Sequence, residues 1–485
     1  MSVTSQPRAR SLPAAPPAFG GVPQSLRPAT VVPVRSRARF ADGGWTTPRR
    51  LQAFLLSSLL LAVLLFATGF NLHNTLRQGV QSVGRDSVPS ILAAQQIHAS
   101  LVDMDASAAN DLLAGANGSR TARDSYDAER SLIGRQTVVA AQNITYGNLE
   151  RIPIEQLQDG MTYYTGLIAQ AQQQLRGGNS DIARGTFTLA SAYLHSTLVP
   201  AAQRLDDVNT AYLNRAYNDS RTTNGWALAF VVLAGVLFLL ALIGAQLFLA
   251  RRVRRTFNLP LLAASVLVIV FLVNTVSTTL AVNAELKTAK EDAFDSISAL
   301  ADARALVLDA NGSQALSLLD TANTMRYQNQ YMQLTQQIAD TTITPAIIDR
   351  ATRTPDDPGF KGALATELRN LTFPGEKDAA LTALTEFGAY QQANTQIRQL
   401  QMQGKTADAL ALITGTNTDQ ANRVFERFDI ALTRVVNINR TEFENAVTRS
   451  FTKVAPLQWL SPAAALLIGL LAFLGLQPRL REYAA

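Results

Sequence analysis

Apolar positions are segregated along this chain. Four stretches, 51–70, 225–250, 258–282 and 457–476, carry no Asp, Glu, Lys or Arg. Each is long enough to cross a hydrocarbon layer of roughly 30 Å at about 1.5 Å per residue, which predicts four transmembrane helices. In the two long regions between them the pattern changes. Val80, Ile91, Ala94, Leu101, Ala108 and Leu112 recur at helical spacing, and strand-like alternation is nearly absent.

In 71–224 the pattern predicts four helices. The first runs from Leu76 to Ala114 and is broken by Gly115-Ala116-Asn117-Gly118. The second covers about 121–145 and stops near Gly147. Pro153 opens the third, which ends at Gly177-Gly178. The last is capped by Asn179-Ser180-Asp181 and runs to Trp226, with Pro200 kinking it or ending one of its pieces. In 283–456, helices are predicted over 284–340, 376–403, 406–413 and 418–453. The proline-containing 341–374 reads as a loop with a short helix at 360–371, either a partner contact or a plain exposed insertion. The expected fold is all-α: four transmembrane helices with two extracytoplasmic antiparallel helical bundles, as a tandem repeat of span, bundle and span. Leu101-Val102-Asp103-Met104-Asp105-Ala106 and Ala305-Leu306-Val307-Leu308-Asp309-Ala310 suggest the repeat and pair Asp105 with Asp309.

Charge gives this layout a side. The formal net charge is +6, from 43 Lys and Arg against 37 Asp and Glu. Residues 1–50 hold eight Arg and one Asp, the 251–257 connection holds Arg251, Arg252, Arg254 and Arg255, and the 477–485 tail adds one net positive charge. These segments sum to +12, so the remainder sums to −6. Short Lys- and Arg-rich segments stay cytoplasmic, so both termini and the Arg hinge are expected inside and 71–224 and 283–456 outside. Residues 1–50 hold 8 of the 19 prolines and read as a disordered tail, with 51–70 as an uncleaved signal anchor. The basic balance follows the membrane flanks and no folded domain carries it, so nucleic acid is not an expected partner.

Chemistry is sparse. There is no cysteine, and His73, His98 and His195 lie far apart, so no disulfide, metal site or cofactor is expected. No phosphate loop, dinucleotide turn or nucleophile elbow occurs, and an enzyme is not expected. The spans carry no ionisable residue, which argues against a secondary transporter or a proton-driven pump. His98 and Asp105 fall on the apolar seam 91, 94, 98, 101, 105, 108 and 112. With Asp309 they mark either a polar ligand pocket between helices or an inter-helix hydrogen bond. Arg120, Arg123 and Arg130 suit a carboxylate clamp or, with Asp124, Asp127 and Glu129, a solvated mixed-charge face.

A helical bundle bracketed by spans resembles the four-helix-bundle sensor half of bacterial chemoreceptors. Ser87–Leu92, Leu101–Ala109 and Gly404–Leu412 carry this likeness. More narrowly, Tyr163–Ile168, Ala190–Leu194, Leu198–Ala202 and the Arg251–Arg255 hinge resemble the four-pass membrane proteins of actinobacterial glutamine/glutamate-sensing systems. That resemblance implies an extracytoplasmic amino-acid-binding lipoprotein and a Ser/Thr kinase as partners. Unlike a chemoreceptor, the chain re-enters the membrane seven residues after its second span. The expectation is a sensory transducer of the bacterial cytoplasmic membrane. It detects a small molecule such as an amino acid, directly or through a binding protein, and Arg251–Arg255 couples it to a cytosolic kinase or other effector. The bilayer and a second copy of the chain are further candidate partners. The alternative is a non-catalytic scaffold or accessory subunit of a transport or assembly complex.

Overall fold

The computed structural model describes residues 47–253, 258–414 and 420–481, and among these every regular element is helical. The tail expected at 1–50 lies almost wholly outside the described residues. Four helices are long and apolar enough to cross a membrane: α1 Thr47–Leu113, α4 Ser180–Arg251, α5 Leu259–Leu319 and α11 Ala421–Arg481. Each is far longer than its apolar stretch, and α4, with 72 residues, extends over roughly 110 Å. The span and the bundle helix are therefore one object in each case, although α11 is interrupted by a turn at Ala455-Pro456. The protein is a four-span, all-α membrane protein.

The first bundle combines the part of α1 beyond its span with α2 (Arg120–Gln142), α3 (Asn148–Arg176) and the first half of α4. Its core holds Leu101, Tyr164, Ile168, Phe187 and Leu194, all buried. Helix α3 begins at Asn148, so Pro153 lies inside it and does not open it. Gly147 makes the entry turn at φ 65°, where a side chain would be strained. Helix α4 passes Pro200 without ending. Proline has no N–H for the Ser196 carbonyl, and a π turn over Leu194–Leu198 takes up the mismatch. The same reasoning covers α1, where the π turn Ser82–Asp86 contains Arg85, four residues before Pro89.

The second bundle combines α5, α6 (Thr324–Ile338), α9 (Glu376–Met402) and α11, with α10 (Thr406–Thr414) against α9 and α11. The helix expected over 284–340 is two helices. It stops at Leu319 and turns back through Asp320–Asn323, so α5 and α6 form a hairpin. The 341–374 segment holds two short helices, α7 (Pro345–Arg353) and α8 (Ala363–Arg369). The sequence reading supplied only the second. Phe360, Leu364 and Leu368 are buried with Tyr390 and Phe428, so this segment is part of the core.

One construction occurs in both bundles. Asn143-Ile144-Thr145-Tyr146 and Asn370-Leu371-Thr372-Phe373 each follow a helix and precede a buried glutamate. Glu150 Oε2 accepts from the backbone N–H groups of Thr145 (2.7 Å) and Tyr146 (2.5 Å). Glu376 Oε2 accepts from those of Thr372 (2.7 Å) and Phe373 (2.9 Å), and Asn439 Nδ2 donates to its Oε1 at 2.6 Å. Both turns dock beside a π turn just beyond a span. Tyr146 Oη pairs with Ser87 Oγ at 2.8 Å, and Asn370 Nδ2 donates to the Asp292 carbonyl (3.0 Å) within the π turn Thr288–Phe294. A widened turn frees carbonyls for such partners.

Candidate functional site

The bundles meet along α1 and α5. Small residues allow the approach: a methyl built on Gly312 would stand 3.5 Å from the Ala106 Cβ. Ser100, Ser107, Ser313 and Ser317 are buried around this crossing. Such close backbones leave little room for large apolar side chains, and a chain of polar groups occupies the interface instead.

Asp105 is 2% exposed. Tyr164 Oη donates to its Oδ1 at 2.9 Å and Ser191 Oγ to its Oδ2 at 2.6 Å. These partners come from α3 and α4, so Asp105 ties three helices of the first bundle together. Burial pushes its carboxyl up, against the opposing effects of the His195 charge and the two hydroxyl donors.

His195 lies in the π turn of α4. Its Nδ1 is 2.9 Å from the Ser191 carbonyl oxygen and its Nε2 is 3.0 Å from Asp309 Oδ1 on α5. Burial lowers the affinity of this ring for protons, but the hydrogen bond and charge of Asp309, with the charge of Asp105, more than offset it and raise the pKa to about 9. The ring is therefore an imidazolium at neutral pH and donates from both nitrogens. Asp105, Ser191, His195 and Asp309 form one connected path from the interior of the first bundle to the second. His98 borders it with no hydrogen bond among the described residues. Burial, with the His195 charge and against that of Asp309, takes it down to about 4, so it stays neutral.

The structure thus brings His98, Asp105 and Asp309 to one interface. Asp105 and Asp309 stand on different helices, α1 and α5, and His195 lies between them. The π turns of α1 and α5 begin at Ser82 and Thr288, and the same separation relates Ala106 to Gly312 and Asp103 to Asp309. His195 is a central member that the sequence reading left out, since its contact with Asp309 depends on the inter-bundle packing. Arg123 bonds Asp111 on α1 (3.0 Å) and Arg130 reaches Asp127 (3.3 Å), so both engage protein carboxylates. Arg251 is exposed at the end of α4. The side chain of Arg252, and Arg254 and Arg255 altogether, lie outside the described residues. Among the described residues no His, Asp and Glu group could hold a metal ion.

The interface also opens into a cleft of about 460 Å³ between α1 and α2 of one bundle and α5 and α11 of the other. This volume is in the range of small-molecule sites.

Residues 79–218 match the family model of the actinobacterial sensor domain. The match begins on α1 near the end of its apolar stretch and stops on α4 before the next one, so it covers the first bundle and no part of the second. No curated protein and no solved structure is significantly similar to the chain.

Proposed function

We propose that this multi-pass protein is a sensory transducer of the bacterial cytoplasmic membrane, with both termini cytoplasmic and both bundles outside. The bundles detect a small molecule, directly or through a binding protein, and a separate cytosolic kinase or other effector produces the output. The sensor-domain match over the first bundle supports a sensory role. The observation that carries the relay is the unbroken run of α1, α4 and α5 from bundle into span. A change in how the bundles meet at Asp105, His195 and Asp309 then reaches the spans through continuous helices. A ligand drives such a change only by binding two arrangements unequally. The recurring turns at Thr145 and Thr372 support a reading of the halves as repeats, which would make the α1–α5 interface a pseudo-symmetric joint. Arg251–Arg255, between the second and third spans, is the proposed contact with the effector.

The absence of native cysteine makes the test direct. A Cβ on Gly469 would lie 3.2 Å from that of Ala62, close to the spacing a disulfide needs. In native membranes, the Ala62→Cys/Gly469→Cys pair should cross-link at a rate that changes when a sensed solute is added. A rate unchanged across a broad panel of extracellular solutes and binding proteins would overturn the relay.

A further inference from the structure

The second bundle encloses a layer of polar groups toward the end away from its spans. Tyr390, Asn394 and Arg398 follow one another by single turns on one face of α9. Tyr331 meets them from α6, with its ring centroid 5.9 Å from that of Tyr390. Tyr331, Tyr390 and Asn394 are 5%, 0% and 2% exposed. Arg398 is half-buried, so the layer runs from the core to the surface of the bundle. Just beyond it, Gln401 Nε2 donates to Ser317 Oγ of α5 and Gln328 Nε2 of α6 donates to Gln401 Oε1, both at 3.0 Å, which ties the three helices together.

The donors of this layer meet nothing. Tyr331 Oη, Tyr390 Oη, Asn394 Nδ2 and Arg398 Nε are buried without a hydrogen-bond partner. They are nevertheless neighbours. Burial raises the pKa of the Tyr331 hydroxyl, and Asn394, Arg398 and Tyr390 act on it in the opposite direction. Burial raises that of Tyr390 as well, and Tyr331 adds to the effect. Both hydroxyls therefore stay neutral and keep a proton to donate. Gln314, one turn before Ser317 on α5, carries a further buried donor, Nε2, with no acceptor. Arg398 forms no ion pair among the described residues, so no carboxylate answers its charge.

Buried donors are nearly always met. A water makes about three bonds, some of them as a donor, and brings no charge. An anion accepts from every side and balances the guanidinium. Phe387 and Phe425 pack against Tyr390 at 6.4 and 5.9 Å between ring centroids, which limits the ion to a small one. We propose that Tyr331, Tyr390, Asn394 and Arg398 enclose a site for a small monovalent anion, a halide or a short carboxylate, between α6 and α9 of the second bundle. The site lies outside the sensor-domain match, so it stands or falls independently of sensing by the first bundle.

The experiment is thermal unfolding of the full chain in non-ionic detergent, in sodium gluconate, sodium chloride or sodium acetate at equal ionic strength. Chloride, acetate or both should raise the midpoint by several degrees over the bulky gluconate, as a ligand of the folded state does. A shift with chloride alone identifies a halide site, and a shift with acetate identifies a carboxylate site. Arg398→Met should remove the shift and Tyr331→Phe should reduce it. Tyr331→Phe keeps the ring in the core, so its effect does not depend on misfolding. Arg440→Met, which loses only an exposed ion pair with Glu444 on α11, should retain the shift and so separates the site from a general salt effect. Equal midpoints of the parent in all three salts, a shift left whole in Arg398→Met or in Tyr331→Phe, or a shift lost equally in Arg440→Met would overturn the proposal.

Discussion

His195 Nε2 on α4 stands 3.0 Å from Asp309 Oδ1 on α5, and this contact joins the two bundles through a charged ring. With its pKa raised to about 9 from an ordinary 6.5, His195 adds stability that is complete below pH 6.5 and is lost as pH rises through 9. His98, lowered to about 4, adds stability that is present above pH 6.5 and is lost as pH falls through 4. Asp105, Asp309 and the two histidines face one another, so the variant comparison isolates each ring. Relative to the parent, His195→Gln should flatten the decline in unfolding midpoint between pH 6.5 and 9. His98→Gln should flatten the decline between pH 6.5 and 4.

Removing Asp105 orphans two buried hydroxyls. Asp105→Leu should destabilise the first bundle by about 2 kcal/mol, the cost of unmet buried donors. Adding Tyr164→Phe should recover part of that loss, because one orphan disappears with its partner. Chemical denaturation of the full chain in detergent measures both. Equal stability of parent and Asp105→Leu would contradict the hydrogen-bonded role of the carboxylate.

At Gly312 the bundles have room for a methyl group and no more. Gly312→Ala should be neutral or slightly stabilising, since its Cβ meets Ala106 at ordinary contact distance. Gly312→Leu should cost about 1–3 kcal/mol through overpacking. It should also slow cross-linking of a cysteine pair placed across α1 and α5, a readout of bundle separation.

The buried glutamates predict a matched pair of effects. Glu150→Ala and Glu376→Ala each leave two backbone N–H groups without their acceptor, and each should lower stability by about 2 kcal/mol. Glu376→Ala should be the more harmful, because it also removes one of the two acceptors of Asn439 Nδ2, leaving only the Val435 carbonyl. Denaturation of the two variants side by side checks the order.

Helices and spans were legible from sequence because their signals are local. The uncharged stretches mark the spans, and Gly115–Gly118 and Gly177-Gly178 mark real helix ends. Proline was the least specific local signal: Pro153, read as a helix start, is accommodated within the first turns of α3, and Pro200 follows a π turn that interrupts the α-helix and that no local pattern announces. The Asp320 break was missed because apolar spacing continues on both sides of it. The seam through His98 and Asp105 was readable as helical phase. The Asp105 donors Tyr164 and Ser191, and the link of His195 to Asp309, were not, because those contacts depend on how four helices and a second bundle come together. Glu129 was read as part of a solvated mixed-charge face, and its place on the inter-bundle cleft depends on how α5 and α11 pack.

The π turns at Ser82–Asp86 and Thr288–Phe294 sit just beyond the first and third spans. Such a turn holds one residue more than the α turn it replaces. Moving that extra residue along the helix keeps the backbone continuous, and the segment between its old and new positions rotates by about 100°. A helix built this way can answer a disturbance by turning about its own axis, with no need to slide through lipid. In α1 and α5 that swivel lies between a bundle that can be pushed and a span that must stay at its depth.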